Sequence, residues 1–343
     1  MQPERPLKLV GGYGSPYSRK MRAVLRYRRL PFRWIIRGSS DDRGIPEVSV
    51  PLIPVLVFPG RSETEDTVMV DSTPQISRLE DLTPQRSLIP RDPVTGFLDL
   101  LIEDFADEWL TKAMYGYRWS YPDDVHKASW VLPLQSDTRL PADEARRRAE
   151  EFGQRQVERL GLVGCNEVTR PVIENSYRRT LEILDDTLEQ QAFLAGARPG
   201  RGDFGVFGQL SQLVLFDPTP AGIAARVAPR VVAWVNHVED LHWLEVSESG
   251  WLDREQAGAR LGPLLGEIGR VYAPFLLANA RALEHGADRV ECEIDGAPWE
   301  QPPFRYQGKC LRWLREAHAA LEPRDRRAVD ELLDGTGCEA LFA

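Results

Sequence analysis

The first 82 residues carry short apolar runs and one amphipathic stretch, a pattern that predicts a small unit of strands and helices. Apolar runs over 7–12, 32–38, 54–58 and 67–70 predict four strands. Ser15 and Pro16 begin a helix between the first two strands, and Pro31 ends it. A second helix is expected over about 73–82, with Ser72 as its cap and Asp71 at its start.

The rest of the chain has helical periodicity. Helices are predicted over 97–119, 172–194, 202–216, 231–241, 274–283, 308–321 and 324–333, and the segment 202–216 is apolar nearly all round, which indicates a buried central helix. Residues 120–170 contain several prolines and a charged helical stretch, DEARRRAEEFGQRQVERLG. We therefore expect three parts: a domain over 1–85, an all-helical domain over 95–288 with an insertion at about 120–170, and a helical extension over 289–343 packed on the protein.

The strand and helix order of the first part is β-α-β-loop-β-β-α, which is the order of a thioredoxin-like domain. The predicted fold class is therefore a thioredoxin-like α/β N-terminal domain followed by an all-α C-terminal domain. With 42% hydrophobic residues, the chain has enough apolar side chains for a sizeable core. It shows no long apolar run and no secretory signal, so we expect a cytoplasmic protein that does not enter membranes.

Charge and cysteine usage restrict the function further. The net charge of −9 argues against nucleic acid as a partner. Residues 1–90 contain 14 basic and 10 acidic side chains, a balance of +4, which leaves −13 for the remainder and suits a small anionic ligand in the first domain. The four cysteines have neither Cys-x-x-Cys spacing nor a histidine pair, so no metal site is expected.

Four segments, in this order, resemble the glutathione S-transferase superfamily. They are Gly14-Ser15-Pro16-Tyr17-Ser18-Arg19, Pro51-Leu52-Ile53-Pro54-Val55-Leu56, Asp71-Ser72, and the stretch LAGARPGRGDFGVFGQL over 194–210. The order and spacing of the first three match that family's N-terminal domain across roughly residues 7–82, and the fourth extends the match into the helical part. A motif in the tail, Trp299-Glu300-Gln301-Pro302-Pro303-Phe304, resembles the tails of large bacterial members.

This resemblance implies a glutathione site in the first domain, with glutathione as co-substrate. Pro54 stands where the family has a cis-proline, so the backbone of Ile53 is expected to pair with the cysteinyl part of glutathione. Ser72, at a helix N-terminus, would hold the γ-glutamyl carboxylate, and Asp71 the amino group. Ser72 acting only as a helix cap is compatible with this assignment.

Ser15 is the catalytic candidate that the resemblance implies, since a hydroxyl at the start of the first helix could stabilise the glutathione thiolate. Tyr13, Tyr17 and Ser18 are neighbours able to take the same role, and Ser15 as a simple helix cap remains an alternative. No cysteine occurs in the first 164 residues, which disfavours disulfide chemistry. In the fourth segment Gly200 replaces the family's usual Ser or Thr cap, and Asp203 is expected to be structural.

The resemblance also implies a second-substrate pocket between the domains, for which Trp109, Met114, Tyr117 and Trp119 are candidates, although aromatic residues at helical spacing also form cores. The predicted function is a glutathione-dependent transferase acting on a small hydrophobic electrophile, or a related lyase or isomerase. The alternative is a non-catalytic interaction or scaffolding protein with the same fold. Homodimerisation is common in the family and is an open possibility for this chain.

Overall fold

The computed structural model describes residues 5–48 and 50–343. The N-terminal part contains β1 (Leu7–Gly11), α1 (Pro16–Tyr27), β2 (Phe32–Ile36), β3 (Val55–Phe58), β4 (Thr67–Val70) and α2 (Ser72–Leu82). Its sheet has the order β2-β1-β3-β4, in which β1 and β2 are parallel and the other two pairs are antiparallel. This arrangement confirms the thioredoxin-like fold.

The two faces of this sheet are covered differently. One face packs on α1 and α2 in the main core, through buried residues such as Leu9, Leu56 and Ile76. The other face carries Val10, Ile35, Val55 and Val57, which pack against residues of the irregular segment before β3 and of β4. The alternating side chains of β1 and β3 thus serve two cores, as the period of a strand requires.

Both helix starts in this domain have side-chain caps, and one differs from the prediction. The Ser15 hydroxyl accepts a hydrogen bond from the N–H of Ser18 at 3.2 Å and caps α1. Asp71, not Ser72, is the cap of α2: its carboxylate accepts from the N–H of Thr73 at 3.4 Å, and Ser72 is the first helical residue. Asp71 adopts a positive φ of 77° at this position, which is uncommon for a residue with a side chain.

The remainder of the chain is predominantly helical. Its helices up to residue 284 are α3 (Pro93–Phe105), α4 (Thr111–Ser120), α5 (Pro122–Leu134), α6 (Ala142–Val157), α7 (Arg170–Gln190), α8 (Arg201–Leu213), α9 (Pro218–Val227), α10 (Pro229–Val238), α11 (Arg254–Glu267) and α12 (Ala273–Glu284). A π-helical turn over Ala106–Leu110 joins α3 to α4, so the predicted helix over 97–119 is one longer helical run. Across residues 5–48 and 50–343, no helix has the length and apolar character to cross a membrane.

Helix α8 is buried along its whole length, as its apolar sequence predicts. A side chain at Gly208 would lie 2.9 Å from the carbonyl oxygen of Pro16, so this glycine allows α8 to approach α1 closely. The start of α8 is capped from another helix, because the Asp99 carboxylate accepts from the N–H groups of Arg201 and Gly202, both at 2.9 Å. Gly200 leaves space for Asp99, which explains the missing Ser or Thr, and Asp203 accepts from the Gly200 N–H at 2.9 Å in the expected structural role.

The C-terminal extension forms β5 (Val290–Ile294), β6 (Ala297–Gln301), α13 (Arg305–Ala319) and α14 (Pro323–Leu333). The prediction contained both helices but not the hairpin of β5 and β6, nor α5, α9 and α11. Asp295 and Gly296 join the two strands with φ values of 54° and 71°. An Asp-Gly pair with positive φ at both residues is typical of a tight hairpin turn, so the signal was present in the sequence.

Candidate functional site

A cleft of about 1720 Å³ lies between the N-terminal domain and the helical domain. The start of α1, the Ile53–Pro54 loop and the start of α2 form one side. Helices α3 and α4 with the intervening π turn form the other side, while α5–α6 and α13 add two further walls. The predicted residues Ser15, Tyr17, Ile53, Pro54, Asp71, Ser72, Met114 and Trp119 line this cleft.

Ser15 is the only one of the four catalytic candidates that lines the cleft with a hydroxyl hydrogen uncommitted in the described structure. Its oxygen accepts the capping bond from Ser18, which leaves the O–H able to donate toward the cleft. The first turn of α1 adds its N–H groups and the positive end of the helix dipole at the same place. An anion next to Ser15 therefore meets a donor and a favourable field.

The other three candidates are committed elsewhere. The Tyr17 phenol lines the cleft but donates to the carbonyl oxygen of Asp107 at 2.8 Å, and burial raises its pKa well above the usual range. Ser18 is buried and its oxygen accepts from the N–H of Gly12 at 3.3 Å. Tyr13 packs on the Trp34 ring, with ring centroids 5.6 Å apart. Neither Ser18 nor Tyr13 lines the cleft.

The loop before β3 and the start of α2 are held together by one side chain. The peptide bond between Ile53 and Pro54 is cis, as expected. The Gln75 amide, fully buried in α2, donates to the carbonyl oxygen of Pro54 at 3.0 Å and to that of Met69 at 2.8 Å. Gln75 therefore fixes the Ile53–Pro54 loop relative to the Asp71–Ser72 segment.

Asp71 is half-buried and forms no ion pair with any described residue. Its carboxylate accepts from the N–H of Thr73 and, at 2.6 Å, from the Tyr306 phenol of the C-terminal extension. Its backbone lies at φ 77° and ψ 119°, outside the regions that a residue with a side chain prefers. A strained residue with an unpaired carboxylate in a cleft is a candidate for binding a cation.

A buried lysine organises the floor of the cleft. Lys20, fully buried in α1, donates to Asp107 at 2.5 Å, to Glu103 at 2.7 Å and to the Ser72 oxygen at 3.1 Å. Burial lowers the pKa of Lys20, but the two carboxylates outweigh this effect and the net shift is upward. Because the Ser72 oxygen accepts from Lys20, its own O–H is oriented away from the ammonium and is available as a donor.

The helical side of the cleft contains two carboxyls that burial makes weakly acidic. Burial raises the pKa of Asp104 to about 7. The Tyr272 phenol donates a hydrogen bond to this carboxyl at 2.6 Å, which lowers the pKa, but the effect of burial is larger. Burial, with the charges of Asp104 and Asp107, raises the pKa of Glu108 to about 8. Four residues further along, burial lowers the pKa of Lys112 to about 8. Perturbed groups of this kind cluster at functional sites.

The predicted second-substrate wall is only partly formed by the expected residues. Met114 and Trp119 line the cleft, but Trp109 and Tyr117 do not. Trp109 is buried against Phe275 and Trp299, and its indole N–H donates to Ser176 at 2.9 Å. Tyr117 packs edge-on against Tyr177. Trp109 and Tyr117 are core residues because their faces of the helix meet α7, α12 and the extension. The apolar wall is instead completed by residues of the insertion, namely Leu132, Pro133, Phe152, Leu162 and Val163.

Several residues of the site escaped the sequence analysis, above all Lys20, Glu103, Asp107 and Tyr306. The sequence contained a signal for the first three. Lys20 lies on the otherwise apolar face of α1, and Glu103 and Asp107 are spaced i and i+4 on a buried helical run. Charged side chains in such positions need partners of opposite charge. No local signal points to Tyr306, which reaches Asp71 from 235 residues away along the chain.

Comparison with known proteins agrees with this architecture. The family model for the N-terminal domain of glutathione S-transferase matches residues 9–87. Glutathione S-transferase U8 of Arabidopsis thaliana is 27% identical over 132 residues, which are 37% of this chain and 56% of that protein. A probable glutathione S-transferase of Oryza sativa, GSTU6, is 25% identical over 136 residues, 37% of this chain and 48% of that protein. The match thus spans about half the length of these curated relatives.

Among solved structures, a glutathione S-transferase of Methylobacterium radiotolerans in complex with glutathione sulfonate has a TM-score of 0.39 and 18% identity, covering 68% of this chain and 91% of that chain. The resemblance rests on the N-terminal domain: the matching model, the observed strand order and the motifs at Ser15, Pro54 and Asp71-Ser72 all fall within it. Residues 9–87 of this chain therefore match the N-terminal domain of glutathione S-transferase in sequence, and the strand order of this part agrees with that match.

Proposed function

We propose that this protein is a glutathione-dependent transferase that binds glutathione in the cleft and adds its sulfur to an apolar electrophile. One observation carries the proposal: three separate segments of the N-terminal domain bring Ser15, Ile53–Pro54 and Asp71–Ser72 into one open cleft. These groups match the needs of a tripeptide with an ammonium, two carboxylates, a thiol and a backbone that can pair with an extended chain.

In the proposed complex the γ-glutamyl end binds at the start of α2. Its carboxylate receives hydrogen bonds from the Ser72 hydroxyl and the helix N-terminus, and its ammonium pairs with Asp71. The cysteinyl backbone pairs with Ile53, which directs the thiol toward Ser15. The Ser15 O–H donates to the sulfur, and this bond with the α1 dipole favours the thiolate.

The thiolate then attacks an electrophile bound against Met114, Trp119 and the wall from the insertion. A sulfur–carbon bond forms. In a substitution, the leaving group departs with the electron pair of the bond that breaks. In an addition, the electron pair of the electrophile's double bond moves onto an electron-withdrawing group, which is then protonated. Holding the two reactants together and raising the thiolate fraction are the two sources of rate acceleration. A glutathione-dependent lyase or isomerase would use the same first step.

The non-catalytic alternative would gain support if the insertion and the extension filled the cleft. In the structure they line the cleft and leave it open, with about 1720 Å³ accessible. This volume exceeds that of an ordinary ligand pocket, about 300–1,000 Å³, and accommodates a second substrate beside glutathione.

The test is titration of the protein with reduced glutathione by calorimetry, followed by the thiolate absorbance of the bound ligand as a function of pH. We expect saturable binding and a thiol pKa below that of free glutathione. Ser15→Ala should raise the pKa of the bound thiol by about 1 unit, the value of one hydrogen bond to a charged acceptor. Ser15→Thr, which keeps the hydroxyl and the helix cap, should retain the lowered pKa.

Absence of binding to folded protein would refute the proposed function. An identical thiol pKa in wild type and Ser15→Ala would remove Ser15 from the mechanism. Because the Ser15→Ala change also removes a helix cap worth about 1 kcal/mol, thermal unfolding must show that the variant is folded at the temperature of the assay.

A further inference from the structure

The C-terminal extension, for which the proposed chemistry has no role, forms one wall of the cleft. The side chains of Phe304, Tyr306, Gln307, Lys309, Cys310 and Trp313 line it. They belong to α13 and the residue before it, and they face α3 and the start of α2. The extension is therefore part of whatever site the cleft contains.

The motif over 299–304 fixes this wall to the helical domain. The Trp299 ring packs on Trp109, with centroids 5.1 Å apart, and Gln301 accepts from the Lys112 ammonium at 2.9 Å. Asn279 of α12 then makes two hydrogen bonds with the backbone of Phe304, at 2.8 and 3.0 Å. These contacts set the position at which α13 begins, one residue before Tyr306.

Among the hydrogen bonds of residues 5–48 and 50–343, that of Tyr306 alone joins the extension to a proposed glutathione ligand. The Tyr306 phenol donates to Oδ2 of Asp71 at 2.6 Å. Burial and then the negative charge of Asp71 raise the pKa of Tyr306 far above its usual range, so the phenol stays a donor at neutral pH. A carboxylate can accept about four hydrogen bonds, and Tyr306 and Thr73 use two of them. Capacity therefore remains for a ligand ammonium.

We propose that Tyr306 is a positioning residue that orients the Asp71 carboxylate toward the cleft, so that the C-terminal extension determines selectivity for ligands with a γ-glutamyl α-amino group. This inference rests on the proposed function, that glutathione binds here. Asp71 has no cationic partner among the described residues and only one other hydrogen bond, which is long at 3.4 Å. Without Tyr306 its side chain can rotate, and a ligand must pay the entropy of fixing it.

The experiment measures the dissociation constants of two ligands by calorimetry: glutathione, and an analogue in which hydrogen replaces the γ-glutamyl α-amino group. Tyr306→Phe removes the hydroxyl and keeps the ring. We expect it to weaken glutathione binding about tenfold and to leave analogue binding within about twofold, so the preference for the amino group falls. In an Asp71→Asn background, Tyr306→Phe should change that preference little, since the charge it orients is absent.

Tyr121→Phe is the matched control. Its phenol donates to the carboxylate of Glu174 in α7 at 2.7 Å, but it lies outside the cleft. The control should bind both ligands as the wild type does.

Each other outcome has a defined meaning. If the folded wild type binds no glutathione, the proposed function and this inference both fail. If the wild type binds glutathione and Tyr306→Phe keeps the full preference for the amino group, only the role of Tyr306 fails. Tighter glutathione binding by Tyr306→Phe would also overturn it, because Tyr306 would then compete with the ligand. An equal loss for both ligands would indicate a merely structural role.

Discussion

The Glu108→Gln substitution should stabilise this protein at high pH and have a much smaller effect under mildly acidic conditions. Glu108 is nine-tenths buried on the helical side of the cleft and has no cation in ion-pair distance among the described residues. Burial, with the charges of Asp104 and Asp107, raises the pKa of its carboxyl from 4.5 to about 8. The folded protein therefore binds this proton more tightly than the unfolded chain does.

The sign of the pH dependence follows from this difference. Between the unfolded and the folded pKa of Glu108, the folded state holds more protons, so the free energy of unfolding falls as the pH rises. A shift from 4.5 to about 8 corresponds to a loss on the order of 4 kcal/mol between pH 5 and pH 9, at about 1.4 kcal/mol per unit. Glutamine has the shape of the protonated carboxyl and does not ionise, so the variant should lack this loss.

The assay is urea unfolding of wild type and variant at several pH values from 5 to 9, followed by circular dichroism. Glu150→Gln is the matched control, because Glu150 lies on the exposed face of α6 and forms no ion pair among the described residues. The control should follow the wild type at every pH. If the stability difference between wild type and Glu108→Gln stays constant across this pH range, Glu108 does not titrate as its burial requires.

Two further predictions concern the cleft floor and the second-substrate wall. Lys20→Met should destabilise the protein by about 3 kcal/mol in urea unfolding, since it leaves the buried Glu103 and Asp107 carboxylates without this cation. A loss below about 1 kcal/mol would show that the two carboxylates are solvated and do not depend on Lys20. Trp119→Ala should raise KM for an apolar electrophile several-fold in steady-state kinetics. Trp109→Phe should instead lower the melting temperature and leave KM unchanged. If Trp109→Phe raised KM and Trp119→Ala did not, Trp109 would be the residue that contacts the electrophile.

The sequence predicted the N-terminal domain well, because its signals are local. Strands of the first domain are short apolar runs between Gly, Pro and polar turns, and Ser15 and Pro16 mark the start of α1. The spacing of Pro54 and Asp71-Ser72 then places the ligand-binding segments within one small unit. Even the cap of α2 was misplaced by only one residue, since Asp71 and Ser72 both favour helix starts.

The helical part was predicted less completely. The hydrophobic periodicity of the sequence identifies the apolar face of a helix, but it does not identify the surface against which that face packs. Trp109 and Tyr117 have the spacing of a pocket wall and of a core stripe alike, and only the positions of α7, α12 and β6 assign them to the core. The cap of α8 shows the same limit: Gly200 has no side chain that could cap the helix, and only the packing of α3 brings Asp99 to the helix start.

The sequence by itself determined the fold of the first domain, its resemblance to glutathione S-transferase and the three segments that meet at the cleft. Only the tertiary structure decided that Lys20 bridges Ser72 to two buried carboxylates, and that Tyr306 of the extension contacts Asp71. The physical reason is range. Strand alternation, helix spacing and caps depend on residues a few positions apart, whereas burial of a charge and a hydrogen bond across 235 residues exist only once distant elements have packed.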